Sequence, residues 1–467
     1  MWRDELQAWM IARDSSSLAS LIAAVKYESH PILWYLGLYA VTRFTHNPFA
    51  MQLCHILIAT AAIWVFARFS PFTKLQKILF AFGYFPFYEY AIKSRGYALG
   101  ILLLFLFCVF YKNRSKKYIL LSCILFLLCQ TSFLGMLIAL SLQAMLIFEI
   151  LSDDAFRQNV NKAAIVVMVA ILLAGAIICI WRTAPPINSR FVEFNLQAEY
   201  HQLGRVISLP ALSYFASPYH RFSHWDPDRF QDKTLFNYLC LSLALFLFLL
   251  ILFLRKTKIL FLYVCSIGAL LLFFYAVYLG HIWHHGHLYI LLIVCFWLSD
   301  SYPEKKLKIE FLDKLSVICK KYQTLLIMII LAINFYHGIT AYVKDYYYSF
   351  SAAKEAAQFI RDSGLKDMLI AGESDFAVSP IAGYLDKKVY YLREGRLATY
   401  VKFGYPSYEA YDMKKIQEEP ILQNKKSLLI LNKDLKEPPN CMKKIKEFTR
   451  SMVGEEKYYL YIINLEK

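Results

Sequence analysis

Three short clusters in this chain hold side chains able to do chemistry. The first is Asp4 and Glu5 in WRDELQAW, followed by Glu28, His30 and Pro31 in YESHPILWY. Carboxylates beside Trp2 and Trp9 are costly close to hydrocarbon unless they have a partner or a task; the alternative is a solvated turn capping a short helix. The second cluster is Tyr88, Glu89, Tyr90, Lys93, Arg95 and Tyr97 in YEYAIKSRGYALG. A guanidinium among tyrosines suits a phosphate, whose oxygens match its fork of donors, although Arg and Tyr also anchor helix ends at a membrane interface. The third is His281, Trp283, His284, His285 and His287 in GHIWHHGH. Imidazoles can ligate a transition metal, but no carboxylate or cysteine accompanies these locally. Contact with a phosphate or headgroup therefore ranks above metal binding, with an inert interfacial turn close behind. A fourth segment, FSHWDPDRF, offers His224, Asp226, Asp228 and Arg229; with Pro227 between the acids, loop solvation explains it better than a divalent ion.

The elements that must position these clusters are mostly apolar. Of 467 residues, 58% are hydrophobic, and the mean hydropathy is +0.40, so the bilayer is the solvent for most of the chain. The formal charge of +16 does not indicate nucleic acid, because the lysines and arginines fall in connectors between apolar stretches, where topology demands them. All cysteines except Cys441 lie in or beside those stretches, with neither a disulfide framework nor zinc spacing.

Taking the basic connectors as cytoplasmic (Lys74 with Lys77; Lys112 to Lys117; Arg157 with Lys162; Arg255 to Lys258; Lys305 to Lys321), the chain predicts about ten spans with both ends outside. Tyr118 to Leu151 is too long for one helix and is expected to break near Gln130 and Thr131. Pro31 to Phe44 is too short to span and is expected to lie at the interface. Residues 1–49 then form an outer unit of acidic loop and interfacial helices, in which Leu18, Leu21, Ile22 and Val25 repeat at helical spacing after Ser15 to Ser17. Residues 50–343 form the transmembrane helical domain, with a long outer polar loop at 182–233. Residues 344–467 mix a helical pattern at Ser351 to Arg361 with strand-like runs at Met368 to Ala371, Lys388 to Leu392, Ser427 to Leu431 and Tyr458 to Ile463. That alternation predicts a small α/β domain, serving as a lid or docking module. The fold class expected is an all-α polytopic bundle with a small C-terminal α/β extramembrane domain.

Taken in order, Asp4-Glu5, His30-Pro31, Arg95-Gly96-Tyr97 and the histidine-rich turn followed by LYILLIVCFWL resemble the polytopic type C glycosyltransferases. That superfamily includes the protein O-mannosyltransferases and the bacterial lipid A aminoarabinose transferases. The likeness covers roughly residues 1–300 and lies in motif order rather than long identity. Two departures stand out: the family's first transmembrane helix, expected upstream of the acidic loop, and Ile32 where a second proline usually follows His-Pro.

The resemblance implies a metal-independent, inverting transfer of a sugar from a polyprenyl-phosphate donor to a hydroxyl of a protein, lipid or glycan acceptor. The reaction would occur at the outer face of a bacterial inner membrane, with the C-terminal domain periplasmic or extracellular and no cofactor. It makes Asp4 the candidate general base, with Glu5 assisting or orienting the acceptor. Arg95, Lys93, Tyr97, His284 and His285 become candidate partners of the donor phosphate, and Glu28 and His30 position the acceptor or loop. The rival expectations are a lipid or polysaccharide transporter, against which stand the lack of an internal inverted repeat and the placing of the charges in outer loops, and a lipid-linked oligosaccharide ligase or polymerase.

Overall fold

The computed structural model describes residues 1–153, 161–184, 200–216, 232–402, 413–423 and 425–464. The FSHWDPDRF segment, with His224, Asp226, Asp228 and Arg229, lies outside them. The chain opens with α1 (Arg3–Asp14), α2 (Leu18–Val25) and α3 (Leu33–Thr42). Ser17 caps α2 by accepting from Ser20 N, and the helix buries Leu21 and Val25 while leaving Leu18 and Ile22 exposed, the amphipathic division its spacing predicts.

The apolar bundle follows as α4 (Phe49–Phe69), α5 (Lys74–Ala81), a π-helix (Tyr84–Ile92), α6 (Tyr97–Tyr111), α7 (Tyr118–Cys129), α8 (Phe133–Ser152) and α9 (Lys162–Thr183). It continues through α10 (Tyr200–Tyr214), α11 (Asp232–Phe253), α12 (Thr257–Ala276), α13 (Ile282–Ser299) and α14 (Glu310–Tyr347). Seven of these, α4, α8, α9, α11, α12, α13 and α14, are long and apolar enough to cross a membrane. Leu57, Trp64, Val166, Ile177, Trp181, Leu247 and Leu272 point outward from them, more than half exposed. Such surface is unsuited to water and natural in lipid, consistent with a polytopic membrane bundle.

The expected ten spans are thus not all of spanning length: α6 and α7 are shorter, and the stretch from Lys77 to Tyr90 is divided between α5 and the π-helix. Tyr118 to Leu151 breaks at 130–132, where Ser132 caps α8 through Gly135 N. The segment 182–233, expected as an outer polar loop, contains α10, whose Val206, Leu209, Ala211 and Tyr214 are buried in the bundle core. A helix one-third polar with an internal Pro210 has little sequence signal, and only packing against α11 and α13 makes it stable.

Near the bundle centre runs α13, with 89% of its apolar window buried, so the histidine-rich turn at its start is held by protein rather than lipid. The 38 residues of α14 reach about 57 Å and lead into the C-terminal domain. There α15 (Ala353–Asp362), α16 (Asp375–Leu385) and α17 (Met413–Glu418) accompany a six-stranded sheet. Its strands are β1 (Leu369–Gly372), β2 (Val389–Tyr391), β3 (Arg396–Ala398), β4 (Lys426–Leu431), β5 (Met442–Phe448) and β6 (Tyr458–Asn464), in the order β3-β2-β1-β4-β6-β5. β1 pairs in parallel with β2 and β4; the other pairs are antiparallel. Four strands coincide with the expected runs. β3 and the lysine-bearing edge strand β5 do not, since edge strands carry charge rather than an apolar signature.

The first helix belongs to two cores at once. Leu6 and Met10 pack with Ile360, Val378 and Ile381 of the C-terminal domain, while Ala8, Trp9 and Ile11 pack with Leu21, Val25 and Leu38 of α2 and α3. A helix reading RDELQAWMIARD is buried almost all round, which is tolerable only if each polar group finds a partner. Those partners build the site.

Candidate active site

Glu5 fixes the position of its neighbour Asp4. Glu5 Oε2 accepts from Trp2 N at 3.0 Å, closing the first turn of α1, and Glu5 Oε1 accepts from Ser94 N at 2.8 Å. The carboxylate is 4% exposed and both oxygens serve the main chain, so it ties α1 to the segment carrying Lys93 and Arg95. Asp4 is thereby turned toward Arg95: Arg95 Nη1 donates to Asp4 Oδ2 at 2.9 Å, while Arg95 Nη2 lies 3.2 Å from His30 Nε2. A guanidinium can only donate, so His30 Nε2 is the acceptor and its proton sits on Nδ1. Burial and the neighbouring Arg95 charge push the His30 pKa down to about 4, which keeps the ring neutral for this task.

Asp4, Arg95, Glu28 and His30 keep part of their surface open, with 26% exposure for the Asp4 side chain and 16% for Arg95. They are half-buried side chains around a partly open site rather than parts of a core. Glu28 follows α2 in a turn and is held by Gln7 Nε2 at 2.9 Å. Burial, against the Gln7 hydrogen bond and with the Asp4 charge adding to it, raises the Glu28 pKa to about 8. The site thus pairs an ion-paired carboxylate, Asp4, with one that holds its proton at neutral pH, a division suited to proton transfer. Between Glu28 and His30, Ser29 adopts φ 52°, a left-handed conformation that a non-glycine residue holds only at a cost.

Aromatic rings close the other side. The Arg95 guanidinium carbon lies 5.3 Å from the Tyr97 ring and 5.9 Å from that of Trp283, within cation–π range. Tyr97 meets His284 edge-on at 6.2 Å and His287 at 5.5 Å. The π-helix, a form often found at functional sites, brings Tyr90 OH to Trp283 O at 2.6 Å. Any side chain at Gly286 would collide with Tyr90 and Phe85, so this glycine permits the close approach. Beneath Tyr97 and His287 a narrow crevice of about 10 Å³, room for about one water molecule, runs toward Leu104, Leu128 and Ile290.

The five candidate phosphate partners divide. Arg95, Tyr97 and His284 converge. Lys93 lies close by, but its Nζ is 2.9 and 2.8 Å from the two oxygens of Glu89, itself hydrogen bonded by Tyr84 OH. That charge is spent inside the fold. His285 turns away: it is 5% exposed, packs edge-on to Phe274 at 5.1 Å and hydrogen bonds through Nε2 with Leu279 O at 2.7 Å. His287, one helical turn from His284, lies on the cleft side instead, and that i, i+3 relation was available in GHIWHHGH.

His284 faces two donors, the His281 main-chain nitrogen at Nδ1 (3.0 Å) and the Trp283 indole at Nε2 (3.2 Å). A neutral imidazole accepts at one nitrogen only, so one of these two contacts is a hydrogen bond and the other sets two N–H groups face to face, leaving His284 to donate only after one of them parts. Among the described residues no three His, Cys, Asp or Glu side chains converge as a metal site.

The motif pattern gave no hint of Gln7. Its Nε2 also donates to Val401 O, and Val401 N donates to Gln7 Oε1, bringing the segment after β3 over the cleft. No family model, curated protein or solved structure matches this chain.

Proposed function

We propose that this chain is a membrane glycosyltransferase that moves a sugar from a polyprenyl-phosphate donor to an acceptor hydroxyl on the outer side of the membrane. The observation that carries this reading is Arg95 shared between Asp4 and His30 in a partly open cleft, at the end of the bundle that the C-terminal domain covers. A base, a fixed cation and a neutral histidine at the membrane boundary are what a lipid-phosphate leaving group and an incoming hydroxyl require.

The reaction proceeds by single displacement. The acceptor oxygen bonds to the anomeric carbon as the bond from that carbon to the phosphate oxygen breaks; the hydroxyl proton passes to Asp4, and the lipid phosphate leaves as an anion. Arg95 links the two halves. When the donor phosphate engages the guanidinium, it competes with Asp4 for N–H donors, freeing the carboxylate to accept a proton. His284 supplies a further donor to the phosphate once its contact with the His281 nitrogen or the Trp283 indole parts, Glu5 holds Asp4 in place, and Glu28 lines the acceptor side. A transporter would be expected to bury its charges near the bilayer midplane, whereas these lie at one end of the bundle.

The test is transfer in proteoliposomes from defined polyprenyl-phosphate sugars, comparing the intact chain with Asp4→Asn and Arg95→Lys. Asp4→Asn should abolish transfer. Arg95→Lys, which keeps the charge but not the fork, should lower it by about 100-fold. Transfer by Asp4→Asn at the intact rate would refute the assignment, and lipid flipping without transfer would favour a transporter.

A further inference from the structure

On the far side of α1 from the cleft, a groove of about 630 Å³ separates the C-terminal domain from the first turn of α4. The groove runs from Met1 to Asp386, and Asp4, Glu28, His30 and Arg95 are not among its lining residues. Lys354 and Arg361 of α15 and Lys366 line one wall; Asn47, Phe49 and Gln52 line the other. Among the described residues none of the three cations forms an ion pair within 4.0 Å. The Arg361 fork is steadied by Tyr384 O at 2.9 Å and Gln358 Oε1 at 3.4 Å, leaving further N–H groups to donate.

Of the carboxylates nearby, Asp386 alone lines the groove, against the three cations. Asp386 lies 2.7 Å from buried Arg13 and 3.2 Å from His46, and Asp362 accepts twice from Gln358 Nε2, at 2.8 and 2.9 Å. The groove therefore presents surplus positive charge. Directly below it, Phe49, Leu53, Ile56 and Leu57 form an exposed apolar stripe along α4, 61%, 50%, 44% and 61% exposed, at the i, i+4, i+7 and i+8 spacing of one helix face. A cationic pocket opening onto a lipid-facing stripe fits an amphiphile rather than a free ion.

We propose that this groove binds the phosphate of an anionic phospholipid, with its acyl chains along Phe49, Leu53, Ile56 and Leu57. The lipid then bridges the C-terminal domain and the bundle, securing the domain that covers the cleft.

The test is native mass spectrometry of the full chain released from detergent, titrated with dioleoylphosphatidylglycerol or dioleoylphosphatidylcholine. The intact chain should retain the anionic lipid preferentially. Lys354→Gln/Lys366→Gln, two exposed or half-exposed positions, should reduce that retention by about 30-fold without changing retention of the zwitterionic lipid. Arg361→Gln alone should weaken it in the same direction, giving a second reading should the double variant fold poorly. Equal retention of the two lipids by the intact chain, unchanged retention in both variants, or displacement of the lipid by millimolar inorganic phosphate would each overturn the proposal, the last by identifying a free-anion site.

Discussion

Gln7 of α1 and Val401, 394 residues away, exchange two hydrogen bonds: the side-chain nitrogen donates to Val401 O at 2.7 Å, and Val401 N donates to the amide oxygen at 3.1 Å. The same nitrogen reaches Glu28 Oε1 at 2.9 Å. One amide therefore joins the C-terminal domain to the cleft wall, and the C-terminal domain cannot move without disturbing Glu28.

Replacing Gln7 with leucine keeps the volume but strands a buried main-chain N–H and C=O, each costing about 1–3 kcal/mol when unpaired. Gln7→Leu should lower the melting temperature in detergent. Hydrogen exchange should quicken selectively at Val401 and Lys402, while peptides from α8 and α13 keep their protection. Uniform quickening across the bundle would mean that Gln7 serves the whole fold rather than this joint.

Glu28 makes stability depend on pH in a stated direction. Its folded pKa is raised from 4.5 to about 8 by burial, so the folded state binds the proton more tightly than the unfolded state. Its contribution is fully present below about pH 4.5 and is lost as pH rises through 8. Glu394 and Glu456, both raised to about 7 by burial, act in the same sense, so the comparison must be with a variant. Glu28→Gln should flatten part of the fall in melting temperature between pH 5 and 8, and the intact and variant curves should diverge most at the alkaline end. Parallel curves would show that Glu28 is solvated in the folded protein.

Local pattern revealed what local forces decide. The break at Gln130, the cap at Ser17 and the apolar strands β1, β2, β4 and β6 can be read from neighbouring residues, because turn chemistry and hydrophobic period fix them. The convergence of Asp4, His30, Arg95 and His284 follows from putting their segments on one side of the bundle, which charge placement alone suggested. What stayed hidden depends on distant partners. Nothing near Glu5 says that Ser94 would claim one oxygen, whereas the Glu89–Lys93 pair stands at the i, i+4 spacing that joins charges on one helical face and was legible in YEYAIKSRGYALG. α10 was concealed because its apolar face is short and interrupted by Pro210.

The Glu89–Lys93 pair separates a structural role from phosphate binding. Both side chains are nearly inaccessible, 1% and 6% exposed, and removing one partner leaves a buried charge, at a cost of about 3–5 kcal/mol, whereas replacing both with apolar groups is often neutral. Glu89→Leu and Lys93→Met should each lower yield and melting temperature, and the double variant should recover both. With the fold recovered, donor KM in the double variant should match the intact protein; a raised KM would return Lys93 to the phosphate site.

The two adjacent histidines give the sharpest contrast. His284 faces Tyr97 and is crowded by the N–H donors of His281 and Trp283, only one of which a neutral ring can accept, whereas His285 is packed against Phe274 and bonded to Leu279 O. Removing a donor to the leaving phosphate weakens donor binding and its departure, so His284→Ala should raise donor KM and lower kcat, by about tenfold or more in kcat/KM. Removing His285 deletes a buried hydrogen bond, about 1–3 kcal/mol, and should lower the melting temperature while leaving KM alone. The helix forces this division: residues one apart differ by about 100° around the axis, so both rings cannot face one cleft. Should His285→Ala raise KM and His284→Ala leave it unchanged, the cleft lies on the other face of α13, and the assignment of Arg95 as the phosphate partner falls with it.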